Sequence, residues 1–147
     1  MRAQIQAQYD GQCKAFLAKD ATGFQKAFDP KYTSTDTDGK QQTLAEVVAD
    51  ATTPQAGVDV TTCAIIIRKL TTGSGTATVL ATLTAAGTFA QGASTSPFVQ
   101  VQESTDTWSL SGSPLETASI ETGHRLTIGG KVVEEKGTMT TPASSGP

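Results

Sequence analysis

The uneven distribution of threonine along the chain is the feature that most constrains its fold. Threonine accounts for 25 of the 147 residues, and none of them precedes Thr22. Because threonine is stiff at χ1 and packs well on a pleated surface, its crowding after residue 57 indicates long β-strands there. Apolar residues before that point recur at helical spacing instead. Helices first and strands afterwards predict an α+β fold.

Three helices are predicted in the N-terminal part of the chain. The first, over residues 3–18, follows from one apolar face, which is formed by Ile5, Tyr9, Cys13, Phe16 and Leu17. Asp20 can cap a second, shorter helix that Pro30 stops, because the residue before a proline avoids the helical region. Thr43 and Glu46 match a capping box, which predicts a third helix over residues 44–52.

Four runs rich in β-branched residues predict an antiparallel meander. They are Val58 to Leu70, Thr76 to Phe89, Phe98 to Leu110 and Leu115 to Ile128. The linkers between them, residues 71–75, 90–97 and 111–114, are rich in turn-forming residues. Asp38-Gly39 adds a short earlier hairpin, and Gly129-Gly130 precedes one more strand. A curved sheet of this kind would wrap over the helices as a cystatin-like cone, and its cavity is a natural small-molecule site.

Length and composition place the whole fold in one domain. We expect a single α+β domain over residues 1–136 and a flexible tail over residues 137–147, because the chain ends in Pro142-Ala-Ser-Ser-Gly-Pro147.

Charge and hydropathy exclude several classes of partner. Eleven basic and 14 acidic side chains, without a cluster of Lys or Arg, do not fit a nucleic-acid binder or a membrane-surface binder. No apolar run approaches the roughly 20 residues that span a bilayer, so a soluble protein is expected. Residues 1–20 do not resemble a signal peptide. Both a cytoplasmic protein and one exported after removal of a leader remain compatible with the sequence.

Cysteine and histidine are too sparse for a metal site. Cys13 and Cys63 lie far apart without metal-ligand spacing, and His124 is the only histidine. We therefore expect no metal and no cofactor. Two buried thiols are one interpretation of the cysteine pair, and a disulfide in an exported protein is the other.

The order of these features resembles the nuclear transport factor 2-like superfamily, which includes ketosteroid isomerase and the SnoaL-like polyketide cyclases. The resemblance spans roughly residues 3–135 and is carried by Phe28-Asp-Pro-Lys-Tyr32, Asp36-Thr-Asp38-Gly39, Asp106-Thr-Trp108 and Gly130-Lys131-Val132. It is closest in look to uncharacterised bacterial members. It implies a conical fold with a central cavity, and a homodimer formed through the outer face of the sheet.

The resemblance also implies candidate site residues. Asp36 falls where ketosteroid isomerase has its carboxylate base, and Asp106 resembles that enzyme's protonated oxyanion-hole aspartate. Gln12 stands at the position of the oxyanion tyrosine, with Tyr9 about one turn earlier. Tyr32 is a further candidate for a ligand contact. Alternation along the strand places Trp108 on the same face as Asp106.

Each of these residues also has a structural interpretation. Asp36, next to Asp38-Gly39, fits a turn residue whose carboxylate binds nearby backbone amides. Asp106 could pair with Arg68 or Arg125 from a neighbouring strand. Trp108, the only tryptophan, fits a core position.

Binding without catalysis is the function that the sequence favours. Because Gln12 replaces the oxyanion tyrosine, we expect a protein that binds a small, largely apolar molecule in its central cavity. The alternative is a cofactor-independent isomerase, dehydratase or cyclase with Asp36 as general base and Asp106 as oxyanion donor.

Overall fold

The structure, a computed structural model, describes residues 1–142 of the chain. Its helices are α1 (Arg2–Ala18), α2 (Ala21–Gln25) and α3 (Leu44–Thr52). Its strands are β1 (Phe28–Thr35), β2 (Gln41–Thr43), β3 (Val58–Thr72), β4 (Thr76–Gln91), β5 (Ser94–Ser109), β6 (Leu115–Ile128) and β7 (Lys131–Gly137). The predicted α+β class is therefore confirmed. No helix within residues 1–142 is long and apolar enough to cross a membrane.

Local sequence signals set the ends of the helices. Lys19 ends α1 in the left-handed conformation, at φ 55°. The side chain of Asp20 accepts a hydrogen bond from the amide of Gly23 and so caps α2. The capping box of α3 is present in full, because Thr43 accepts from the Glu46 amide while Glu46 accepts from the Thr43 amide.

One strand pair in the sheet is parallel. The strand order is β2-β1-β6-β5-β4-β3, and β7 pairs with β6 beside β1. All neighbours are antiparallel except β1 and β6, which run parallel from Phe28↔Glu116 to Thr35↔Ile120. The sheet is thus mixed, whereas the sequence predicts an antiparallel one. An alternating strand pattern contains no information on direction, which explains the difference.

Strands β4 and β5 are longer than the sequence predicts. Most of the predicted linker 90–97 is strand, with only residues 92 and 93 between β4 and β5. Pro97 is tolerated within β5. Its carbonyl accepts from the Gly129 amide, just beyond the end of β6. The N–H that proline lacks would point to this same side, so no hydrogen bond of the ladder is lost.

The helices cover the concave face of the sheet in two apolar clusters. The first joins α1 to β3, β4 and β5 through residues such as Ile5, Tyr9, Ile67, Val79 and Trp108. The second joins α1, α2 and β1 to the partly buried apolar side of α3 and centres on Phe24, Phe28 and Tyr32. Helix α3 itself contributes no fully buried side chain.

A disulfide attaches α1 to the sheet. Cys13 and Cys63 are bonded, with their Cα atoms 5.4 Å apart. Two further bonds tie α1 to β3, since Arg2 donates to the Ile67 carbonyl and Gln6 to the Ile65 carbonyl, each at 2.7 Å. Of the two interpretations of the cysteine pair, the structure has the disulfide.

Residues 138–141 lie against the convex face of the sheet. Glu103, 1% exposed, accepts the backbone amides of Thr140 and Thr141 at 2.9 Å each, and Arg68 lies 3.4 Å from its carboxylate. A Cβ on Gly123 would come within 2.5 Å of the Thr138 carbonyl, so a glycine is needed there. This part of the predicted flexible tail is held in place by hydrogen bonds, and residues 143–147 lie outside the described part of the chain.

Candidate functional site

A cavity of about 450 Å³ lies between the helices and the concave face of the sheet. Its apolar wall is lined by Phe16, Phe24, Phe28, Val47, Ile65 and Leu83. Gln42 and Asp50, which are hydrogen-bonded at 2.8 Å and more exposed, lie where the cavity meets solvent. The space has an apolar wall and, opposite α3, a polar group of side chains.

Asp106 is the centre of that polar group. It is 3% exposed and accepts hydrogen bonds at both oxygens, from the Tyr9 hydroxyl at 2.5 Å and from the Ser119 hydroxyl at 2.6 Å. Tyr9 comes from α1 and Ser119 from β6, so both layers of the fold converge on one carboxyl. The face of β5 that carries Asp106 is the cavity face, since Gln102, Ser104 and Asp106 all line the cavity.

Trp108 lies behind this group and is fully buried in the core. Its indole nitrogen donates to the Tyr9 hydroxyl at 3.3 Å, and the two rings meet edge to face at 5.1 Å. Trp108 is absent from the cavity wall. The prediction of Trp108 as a ligand contact is therefore replaced by its core interpretation: it packs against Tyr9 and orients the phenol.

Glu116 is a second buried carboxyl in the same cavity. It is 3% exposed, and its Oε1 accepts a hydrogen bond from Gln12 Nε2 at 2.9 Å. Its Oε2 receives no hydrogen bond from a side chain or amide within residues 1–142. Gln12 lines the cavity as the sequence predicts, but its amide is engaged by a residue that the sequence does not single out.

A β-bulge explains why Glu116 points inward. Asp106 pairs with Ser119 and Trp108 with Glu116, so Thr117 is an extra residue in β6. Without the bulge, Glu116 and Ser119, three residues apart, would face opposite sides of the sheet. Period-two alternation from Ser119 thus predicts Glu116 on the convex face. The sequence carries no signal that separates Glu116 from Glu121, the other acidic residue of β6.

Burial keeps protons on this cluster. It raises the pKa of Asp106, although the hydrogen bonds from Ser119, Tyr9 and Ser104 oppose the rise. Burial, and then the charge of Asp106, raise the pKa of Glu116 well above its usual range. Burial and the two carboxyls likewise raise the pKa of the Tyr9 phenol. Two acids in one apolar space do not both ionise readily, so Glu116, whose pKa is raised by both causes, keeps its proton more readily than an exposed glutamate.

Tyr32 lines the cavity from β1, as expected for a ligand contact. Its ring packs edge to face on Phe28 at 4.6 Å between centroids. Its hydroxyl lies beside Ser34 and Ser119, and burial raises its pKa. Tyr32 therefore adds a phenol to the polar end of the cavity.

Asp36 lies outside the cavity wall. Its Oδ1 accepts the backbone amides of Asp38 and Lys40, each at 2.9 Å, in the turn between β1 and β2. The structure thus gives Asp36 the turn role and does not bring it together with Asp106. Its assignment as general base is corrected accordingly, because the backbone amides engage the carboxylate.

The basic residues considered as partners of Asp106 lie elsewhere. Arg68 is near Glu103, and Arg125 donates to Glu135 at 2.5 Å. His124 bridges Glu121 and Glu134 at 2.5 and 2.7 Å. Within residues 1–142, no group of three His, Cys, Asp or Glu side chains is arranged to hold a metal ion.

Comparison with known proteins identifies the fold. No protein-family model matches the chain, and no curated protein matches it. Among solved structures, an NTF2-like protein from Cytophaga hutchinsonii matches with a TM-score of 0.59 at 12% identity, over 82% of this chain and 96% of that one. A ketosteroid isomerase-like protein from Erwinia carotovora matches with a TM-score of 0.57 at 15% identity, over 81% and 92%.

A third structure points the same way. An NTF2-like protein of unknown function in nutrient uptake from Rhodospirillum rubrum matches with a TM-score of 0.54 at 15% identity, over 78% of this chain and 94% of that one. At these identities the likeness concerns architecture rather than activity. The chain therefore has the nuclear transport factor 2-like fold, shared with ketosteroid isomerase-like proteins, as its sequence resemblance predicts.

Proposed function

We propose that the protein binds one small, largely apolar molecule in the central cavity. The observation that carries this proposal is a space of about 450 Å³ with an apolar wall and a few converging polar groups at one end. Small-molecule sites in proteins are typically concave spaces of about 300–1,000 Å³ with this division.

The size of the cavity argues against a packing defect. Interiors are close-packed, and voids larger than a water molecule are few. At about 30 Å³ for each water in the liquid, the space would hold roughly 15 water molecules. Displacement of that water from the walls formed by Phe16, Phe24, Phe28 and Ile65 would favour binding of apolar surface.

The polar end would orient the ligand. Four buried side chains at this end are joined in pairs by hydrogen bonds. Tyr9 donates to Asp106, and Gln12 donates to Glu116. A bound molecule would therefore meet a fixed arrangement of groups rather than mobile side chains, which lowers the entropic cost of binding.

A matched pair of variants tests this proposal. Ala85 lines the cavity from β4, whereas Ala86 is the next residue and faces the other side of the sheet. Binding of the uncharged dye Nile red, followed by fluorescence, is expected for the wild type and for Ala86→Phe. Ala85→Phe should lose it, because the ring would occupy the cavity. Equal binding by both variants, each shown to be folded by circular dichroism, would refute the proposal.

Catalysis of proton transfer is a second candidate. One observation favours it: two carboxyls in one cavity have different surroundings, Asp106 with hydrogen bonds at both oxygens and Glu116 with one. Such a pair can divide the roles of ionised base and neutral donor, as in ketosteroid isomerase. In this alternative Asp106 and Glu116 would act, and Asp36 would not.

Hydrogen exchange into a simple ketone tests that candidate. NMR in D₂O would follow exchange of the α-hydrogens of 2-tetralone, with expected acceleration by the wild type and by Asp36→Asn. Glu116→Gln should abolish the acceleration. Exchange no faster than in buffer, under conditions where the ketone is bound, would exclude this activity for that ketone class.

A further inference from the structure

The cavity has acidic side chains without basic ones. Asp50, Asp106 and Glu116 line it, and no Lys, Arg or His does. The arginines of the sheet are engaged on its other face, Arg68 near Glu103 and Arg125 with Glu135. The two buried carboxyls therefore have no cationic partner in the part of the chain that the structure describes.

The hydrogen-bond donors of α1 that face the two carboxyls are already used. The Tyr9 hydroxyl donates to Asp106, and the Gln12 amide donates to Glu116. Acceptors remain, above all Glu116 Oε2. The Glu116 side chain is 3% exposed and lines the cavity. This oxygen opens into the cavity, where a bound molecule can supply the donor that the protein does not.

We propose that the ligand of this cavity is a small aromatic or aliphatic amine, bound as its ammonium ion with the nitrogen at Glu116 and Asp106. This inference rests on the proposed binding function and names its ligand class. An ammonium group carries a positive charge and has donors without acceptors, so it matches two buried carboxyls that have no cationic partner and an acceptor oxygen that is still unused. Phe16, Phe24 and Phe28 supply apolar area for the rest of the molecule. The Lys19 ammonium already lies 4.5 Å from the centroid of the Phe16 ring, so Phe24 and Phe28 are the rings left to attract a second cation.

A ketone or a carboxylate fits this surface less well. Either would need a donor, and the donors of Tyr9 and Gln12 are committed to carboxyls. The Tyr32 hydroxyl is a further donor at this end of the cavity, and at Glu116 itself a neutral ligand would accept from a proton on the carboxyl. The two chemistries differ in how binding depends on pH, because an ammonium ion displaces that proton whereas a carbonyl requires it.

The sign of the pH effect follows from the groups around Glu116. These are Tyr9 and Gln12 of α1, Tyr32 of β1 and Asp106 of β5, none of which carries a positive charge. An ammonium ion would lower the pKa of Glu116 that burial has raised. Binding of an amine should therefore release a proton, and its affinity should rise with pH until Glu116 is ionised in the free protein.

Calorimetry with matched probes tests the inference. The probes are 4-phenylbutylamine, its alcohol 4-phenylbutan-1-ol and its acid analogue 4-phenylbutanoate, each titrated in two buffers of different ionisation enthalpy. We expect the amine to bind about tenfold or more tightly than the alcohol, which corresponds to about 1.4 kcal/mol, with proton release. Glu116→Gln should lose this preference while still binding the alcohol, and the control Asp36→Asn should retain it.

Several outcomes would overturn the amine assignment. Tighter binding of the alcohol or the acid than of the amine would overturn it. Amine binding without proton release would also overturn it, and this measurement uses only the wild type. Failure of all three probes would also overturn it. If all three probes fail but the wild type binds Nile red and Ala85→Phe does not, the cavity still binds apolar molecules. If the wild type does not bind Nile red either, the broader proposal is refuted.

Discussion

At the scale of single residues, the protonation of Glu116 is linked to folding. Burial raises the pKa of Glu116 in the folded protein above its value in the unfolded chain. The contribution of this group to the free energy of unfolding is therefore greatest below the unfolded pKa and falls as pH rises towards the folded pKa. Glu116→Gln removes this group. As pH rises above the usual pKa of a glutamate, the variant should gain stability relative to the wild type, by about 1.4 kcal/mol in total for each unit by which the pKa is raised.

Urea unfolding at several pH values measures this effect. Asp106, whose pKa burial also raises, should leave a smaller slope of the same sign in the variant. Asp36→Asn serves as control and should keep the wild-type slope. Parallel stability curves for the wild type and Glu116→Gln would contradict the assignment of a raised pKa to this residue.

Asp36 should affect stability rather than binding. Asp36→Ala removes the acceptor of the Asp38 and Lys40 amides, so we expect a loss of about 1 kcal/mol in the free energy of unfolding. Nile red binding should stay unchanged. Asp38→Ala is the control, because the Asp38 carboxylate makes only an exposed pair with Lys136 and should matter less. Weaker Nile red binding by Asp36→Ala with an unchanged free energy of unfolding would instead indicate that Asp36 belongs to the binding site.

Several site residues could be predicted from the sequence, and one central residue could not. Helical spacing places Tyr9 on the core face of α1, the family resemblance singles out Gln12, and strand alternation places Asp106 on the same face as Trp108. Glu116 escapes the same logic because the extra residue Thr117 changes the alternation, and a bulge depends on pairing with β5. Asp36 was misassigned because its position along the chain, matched to the family without gaps, does not distinguish a turn carboxylate from a catalytic one.

At the scale of secondary-structure elements, the disulfide between α1 and β3 should supply much of the stability. Cys13 and Cys63 are separated by 50 residues. The chain-entropy relation gives about 4 kcal/mol for a loop of that length. The free energy of unfolding should fall by an amount of this order when a reducing agent is added. The double variant Cys13→Ala, Cys63→Ala should be equally destabilised and insensitive to the reducing agent. Unchanged unfolding of the reduced wild type would contradict this expectation.

Gly87 is required for the close approach of β3 and β4. A Cβ there would lie 1.8 Å from the Asp59 carbonyl oxygen, beside the irregularity between Val60 and Thr62. Gly87→Ala should therefore cost about 1–3 kcal/mol, as overpacking does. Gly73→Ala is the matched control, since its Cβ would meet only the Thr76 hydroxyl at 3.5 Å. Equal thermal unfolding of both variants would show that the backbone shifts without cost.

Element boundaries were largely accessible from the sequence, and the pairing of β1 was not. Caps are local, so Asp20 and the Thr43 box fix two helix starts correctly. The parallel contact of β1 with β6 joins residues 85 to 88 positions apart and has no local signature. The extension of β4 to Gln91 and of β5 back to Ser94 likewise depends on a partner strand, which overrides the turn propensity of Pro97 and leaves only residues 92 and 93 in the turn.

At the scale of the whole molecule, the homodimer stays a prediction. The convex face of the sheet exposes Ile66 by 60%, Ile120 by 54% and Val99 by 39%. Such residues favour contact with a second copy of the chain. Light scattering should give twice the mass of one chain, and Ile120→Glu should lower it to that of one. Leu17→Glu on α1 should leave the mass unchanged. A monomeric wild type would exclude the homodimer.

The attachment of the helices has a consequence for the rate at which a molecule enters and leaves. Helix α1 is fixed to β3 by a covalent bond and two hydrogen bonds to carbonyls. Helix α3, nine residues long, adds no fully buried side chain yet forms part of the cavity wall. Local opening concentrates where burial is least. We therefore expect the residence time of a bound molecule to depend on how often this one short helix detaches, and hence to change with variants of α3 that never touch the molecule.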